Sequence, residues 1–139
     1  MVSLLSPPWH IYPDYLSEVT GVDLRISYSW EDGQRIETRV LETPVGKISQ
    51  RSRKDPTYGS DWITKYYVSG PEDYKILQYV VEHTVFRRNE EGTAARVRDL
   101  GHDGVVLGRL DRCPFQKLLI ELAGPERFLV DLSDMPSLV

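Results

Sequence analysis

The chain has 139 residues, 40% of them hydrophobic and 27% charged, with a formal net charge of −4. Such values suit one soluble domain with a core of its own, and the acidic balance argues against nucleic acid or an anionic membrane surface as partner. A single cysteine excludes an internal disulfide, and with no second thiol nearby no zinc site is expected.

Met1 to Pro8 has no basic start and no sustained apolar run, so no signal peptide is read there. No apolar stretch approaches the ~20 residues of a membrane span, and the expectation is a cytoplasmic protein without a membrane partner. Ser6 to Pro13 is an extended, proline-stiffened lead. Asp14 to Val19 predicts a short helical segment with Tyr15, Leu16 and Val19 inward, closed by Thr20-Gly21.

Leu24, Ile26, Tyr28 and Trp30 alternate with polar residues, as do Ile36, Thr38 and Val40, which is strand periodicity on both sides of Glu31-Asp32-Gly33. A two-residue Asp32-Gly33 loop sets Ser29 opposite Ile36 and mixes the faces. A three-residue loop pairs Tyr28 with Ile36, Ile26 with Thr38 and Leu24 with Val40. The longer loop keeps one face apolar and is therefore the expected one. Thr43-Pro44-Val45-Gly46 has type I turn composition and leads into a third strand, Lys47 to Ser52. Its basic end, Arg51-Ser52-Arg53-Lys54, reads either as an anion-binding rim or, preferably, as a solvated edge kept from aggregating by charge. Trp62, Thr64, Tyr66 and Val68 alternate again as a fourth strand.

Ser69-Gly70-Pro71-Glu72 has capping-box form and opens a helix to about His83, with Tyr74, Leu77, Val80, Val81 and Thr84 inward. Glu90 to Leu100 predicts a second helix, weakly amphipathic through Ala94, Val97 and Leu100 and stopped by Gly101. The stretch that organises the chain is Asp103 to Leu122. Gly104 to Leu110 reads as a strand buried on both faces, because its apolar residues run consecutively. Pro114 then suits a first helical turn, and Phe115, Leu118, Leu119 and Leu122 form an inward stripe, with Lys117 and Glu121 an i,i+4 pair. Gly124-Pro125 separates this helix from another, with Phe128, Leu129 and Leu132 inward. Ser133 to Val139 reads as the start of one more helix, capped by Ser133 or Asp134. A capped helix with so little to follow, and a doubly apolar strand without a second candidate to pair with, both point to a chain cut short.

Three motifs carry a resemblance: Glu42-Thr43-Pro44-Val45-Gly46-Lys47-Ile48-Ser49, Ser69-Gly70-Pro71-Glu72-Asp73-Tyr74, and Asp103-Gly104-Val105-Val106-Leu107 leading to Pro114. With Leu119 to Phe128 and Asp131 to Pro136, in this order and spacing from about Trp9 onward, the chain resembles the uroporphyrinogen decarboxylase superfamily. It is most similar to members related to cobamide-dependent methyltransferases. The resemblance implies an α/β fold: an antiparallel β-meander over 22–68, then helices and a βα unit over 69–139 belonging to an incomplete (β/α)8 barrel. A barrel of that kind needs about 250 residues. It implies a small-molecule substrate, with decarboxylation or corrinoid-linked methyl transfer in the complete protein and no activity in this segment alone. The arginine-rich substrate motif of the true decarboxylases is absent. The His-x-Cys and distant Cys that hold zinc in the methyltransferases match no residue here, so neither zinc nor a corrinoid is assigned to this segment.

Arg109, Asp111 and Arg112 lie at the end of the buried strand, where a barrel places its mouth, and two planar guanidinium forks suit a carboxylate substrate. A local salt bridge and cap is the plainer alternative. Cys113 reads as a packed residue, since no histidine lies near it in sequence. His10, His83 and His102 lack ligand spacing, and His83 reads as a helix-end charge or a surface residue. Trp9, Tyr12, Trp30 and Trp62 suit stacking on a flat ring, but on alternating strands they read as core. No catalytic residue is assigned. Two other readings stand beside the barrel piece: an interaction module using the exposed edge of the meander, and a homo-oligomer that completes a sheet from several copies.

Overall fold

A computed structural model of the chain describes residues 9–13, 15–54, 61–109 and 112–137, and of residues 9–13, 108 and 109 the backbone alone. The described elements are, in order, β1 (Trp9–Pro13), β2 (Tyr15–Val19), β3 (Asp23–Glu31), β4 (Gln34–Thr43), β5 (Gly46–Lys54) and β6 (Asp61–Lys65). They continue with α1 (Asp73–Glu82), β7 (Thr84–Arg88), α2 (Glu90–Leu100), β8 (Val105–Arg109), α3 (Pro114–Lys117), a π turn over Leu118–Leu122, and α4 (Pro125–Asp134). This is a mixed α/β chain in which an antiparallel meander is followed by helices. It divides into two compact units: Met1–Glu18 with Val85–Asp111, and Val19–Thr84 with Arg112–Val139.

The second unit holds the meander, in the order β3-β4-β5-β6. Its first hairpin takes the two-residue loop: Glu31 lies opposite Gln34, Ser29 opposite Ile36 and Arg25 opposite Val40. The three-residue pairing expected from polarity is therefore incorrect. Asp32 (φ 49°) and Gly33 (φ 73°) are both left-handed, the turn geometry that matches strand twist. Register is dictated by burial only where a face is buried, and every residue of β3 is exposed. Trp30 and Trp62 are accordingly surface residues, not core.

The expected third strand, β5, is not a solvated edge. It lies between β4 and β6, and Ile48, Gln50 and Ser52 are buried. The strand after it, β6, ends at Lys65, and Tyr67 and Val68 leave the sheet to enter the core. That core joins Ile48, Tyr67, Val68, Tyr74, Ile76, Leu77, Ala123 and Phe128, with Leu41, Leu118, Leu119 and Leu122 packed against it. Its stripe on α1 is Tyr74, Ile76 and Leu77, whereas Val81, expected inward, is exposed. The helix start also differs from the capping box. Asp73 Oδ2 accepts from the backbone N–H of Ser69 (2.7 Å) and of Gly70 (2.9 Å), while Glu72 pairs with Lys75.

After α3 the helix widens into the π turn, where the N–H of Ala123 reaches the carbonyl of Leu118 at 2.9 Å. Two carbonyls of this turn are used outside it. Glu121 O accepts from Gln50 Nε2 at 2.6 Å, and Leu122 O from Val68 N at 2.9 Å, so sheet and helix are joined through polar groups as well as by packing. Gly124 (φ 78°) brings the backbone against the Tyr66 ring, where a Cβ would lie only 2.6 Å from a ring carbon. On α4 only Phe128 and Asp131 are buried, and Leu129 and Leu132, expected inward, are exposed. The helix runs through Asp134. Ser133 and Asp134 are thus its last residues, not the cap of a further helix, and that argument for a shortened chain falls.

In the first unit β1 pairs in parallel with β8, from Trp9 opposite Val105 to Pro13 opposite Arg109. Trp9–Pro13 of the proline-stiffened lead is therefore the parallel neighbour that β8 needs. The expected burial of β8 on both faces is not found: Val105 is 65% and Leu107 48% exposed. The segment 15–19, expected as a helix, is strand β2, paired with β7. Its aromatic and branched residues take the conformation that a strand partner offers, a tertiary effect that outweighs local propensity. Helix α2 has the expected bounds and ends at Gly101, with no buried residue.

Candidate functional site

Of the three residues expected at the strand mouth, Arg109 is the last residue of β8, in the first unit, with its side chain outside the description. Asp111 lies outside the described residues. Arg112 belongs to the second unit, where its Nε donates to Glu121 Oε1 at 2.7 Å across a largely exposed surface. Glu121 is held by Arg112, which is the local salt bridge of the plainer alternative. Cys113 is exposed, not packed. Its extended backbone leads into α3, and its carbonyl accepts from the N–H of Lys117 at 2.9 Å.

His83 sits at the C-terminal end of α1, half-buried, its ring stacked on Tyr79 with centroids 3.8 Å apart. His102 is exposed, and the side chain of His10 lies outside the description, as do those of Trp9 and Tyr12. The basic end of β5 carries ion pairs: Arg51 bonds Glu31 at 2.5 Å, and Lys54 lies 3.9 Å from Asp61. These pairs weaken its reading as an anion-binding rim. Among the described residues no group of three or more His, Cys, Asp or Glu is arranged to hold a metal ion, and no helix is long and apolar enough to cross a membrane.

Among the described residues, the most enclosed ionisable group is one that sequence reasoning missed. Asp131 is 1% exposed, and its Oδ2 accepts from Tyr74 Oη at 3.0 Å and from Arg127 Nε at 2.7 Å. Burial pushes the Tyr74 phenol up to about 12, and the Asp131 carboxylate adds to the rise by accepting its proton and by its charge. The same carboxylate raises the Arg127 guanidinium above its ordinary value. A buried charge needs such partners, and here they tie α4 to α1. Arg127 and Asp131 stand at i,i+4 in the sequence, a legible signal, but nothing marked their side of the helix as the inner one.

Two surface features remain. In the first unit Tyr15, Arg88, Asn89, Glu90, Thr93 and Ala94 line an open depression of about 430 Å³ at the start of α2. In the second unit Leu24, Ile26, Tyr28 and Trp30 share one exposed face of β3, with Arg35 over the Tyr28 ring at 4.0 Å. Comparison with protein families, with curated proteins and with solved structures finds no match to this chain.

Proposed function

We propose that this chain is the opening part of a (β/α)8 barrel protein of the uroporphyrinogen decarboxylase-like kind, with the meander set between its first two parallel strands. The observation that carries this reading is the parallel β1–β8 pair, which the chain closes only after passing through the whole meander and two helices. A parallel pair requires a crossover connection, and such sheets occur with both faces covered. Here Val105 and Leu107 remain open, so further parallel strands and an outer helical layer complete the structure.

In a barrel the strand ends nearest Pro13 and Arg109 form the rim where sites are built. Arg109 is then the residue that meets a carboxylate of a small-molecule substrate, and Asp111 and Arg112 follow it in sequence. A ligand on Arg112 competes with Glu121, its partner in this structure. Decarboxylation or corrinoid-linked methyl transfer belongs to the complete protein, and this chain alone is inactive. A second reading, an interaction module, is favoured by one observation: β3 is exposed along its whole length.

Hydrogen exchange resolved along the chain tests the barrel reading. The expected result is rapid exchange of the amides in β1 and β8 while those of β4, β5 and α1 stay protected, because a two-stranded sheet alone is marginal in water. Equal protection in the two units overturns the proposal.

A further inference from the structure

Strand β3 is an edge of unusual kind. It spans Asp23–Glu31, is paired with β4 along its whole length without a bulge, and pairs with no other described strand. It contains neither proline nor lysine, two of the devices that keep such an edge from pairing with another chain, and its charged residues, Asp23, Arg25 and Glu31, alternate with the apolar ones. The residues flanking the Asp32-Gly33 loop form a hydrogen-bonded pair, and such pairs alternate along the ladder. The backbone groups of Leu24, Ile26, Tyr28 and Trp30 therefore point outward, and their apolar side chains stand exposed on one face.

We propose that this edge pairs with the same edge of a second copy of the chain, antiparallel, about a two-fold axis through Tyr28. In that register Tyr28 meets Tyr28 of the second copy, and Ile26 meets its Trp30 twice over, so one apolar ladder continues across the axis. On the other face Arg25 meets Glu31 of the second copy, again twice. Of the two neighbouring registers, the one centred on Ser27 sets Asp23 against Glu31 and costs like-charge repulsion, and the one centred on Ser29 sets Glu31 against Ser27 and forgoes both Arg25–Glu31 pairs, so charge favours the first. Arg25 bonds Asp23 (2.9 Å) and Glu42 (3.2 Å) within its own chain, and Glu31 bonds Arg51. All are exposed pairs of little worth individually, and both groups have capacity for a further partner. The arrangement is isologous, closes on itself and removes the free edge. It does not depend on the barrel reading.

Sedimentation equilibrium of the full chain over the micromolar range tests it. The wild-type chain is expected to reach twice its monomer mass. Arg25→Glu and Glu31→Arg are each expected to weaken the dimer at least about tenfold, since each places two like-charge pairs across the axis. Mixing the two variants is expected to restore the dimer, because each chain then presents the charge that the other lacks. Far-UV circular dichroism of the separate variants, unchanged from wild type, shows that loss of mass is not unfolding. A wild-type monomer throughout, a dimer indifferent to both reversals, or folded variants that fail to recover on mixing would each overturn the proposal.

Discussion

Burial separates the two units of this chain, although their composition does not. In the second, a central strand, the segment leaving the sheet and three helical segments meet in one apolar cluster. In the first, no described side chain is buried, and Val85, Phe86, Val97, Val105 and Leu107 are exposed. Those residues are as hydrophobic as Val68, Ile76 or Phe128. What differs is apposition: a sheet gains from its apolar face only when a second layer covers it. The meander has α1 and the π turn against β5. The first unit has two two-stranded sheets and a helix with no buried residue.

The largest effect expected from this contrast is at Phe128, which is 1% exposed and meets Phe115 edge-on at 5.2 Å. Phe128→Ala should cost about 4 kcal/mol, the loss of transfer energy plus the cavity left behind. Urea unfolding followed by near-UV circular dichroism measures it. A cost below about 1 kcal/mol breaks the comparison, because the cluster would then not be where the second unit is held.

A smaller effect belongs to the buried carboxylate. Asp131→Ala leaves the Tyr74 hydroxyl and the Arg127 guanidinium without their acceptor and should cost about 2–3 kcal/mol, while Tyr74→Phe, which leaves Arg127 on Asp131, should cost about 1 kcal/mol. The pair also has a pH signature. The fold raises the Tyr74 phenol from its ordinary 10.0 to about 12, so it favours the neutral form more than the unfolded chain does. That contribution is complete below pH 10 and is lost as pH rises towards 12. Urea midpoints across this window should fall more steeply in the wild type than in Tyr74→Phe. Parallel slopes would show that the hydroxyl is not held as the structure has it.

These contacts show where the sequence was informative. Helix α2 is bounded as its pattern predicts, and the break at Gly124-Pro125 is in place, since both rest on local backbone chemistry. The meander itself follows from alternation. Its first register does not, because the polarity argument assumed a buried face and β3 has none; the Asp32-Gly33 pair was the better guide. Leu129 and Asp131 show the same limit on α4. The helical repeat is legible, but which side turns inward depends on Tyr74, a residue distant in sequence. Of the residues expected at a strand mouth, Arg112 bonds Glu121 only because two segments meet, and no periodicity carries that. The pairing of Trp9–Pro13 with β8 was legible only by abandoning the proline-stiffened lead as a mere approach.

The smallest effect is expected in the first unit and sharpens the comparison most. Val105 has the residue type of a buried parallel strand, yet it is 65% exposed. Val105→Ala therefore removes little surface that folding had withdrawn from water, and stability should change by no more than about 0.5 kcal/mol. The same substitution in a strand covered on both faces would remove two methyl groups from a packed layer, at roughly 1 kcal/mol for each. The urea midpoint of this chain distinguishes the two cases. A negligible change leaves the strand as a surface awaiting its second layer, as the barrel reading requires; a cost of 2 kcal/mol or more would mean that β8 is already covered and that the two units are alike.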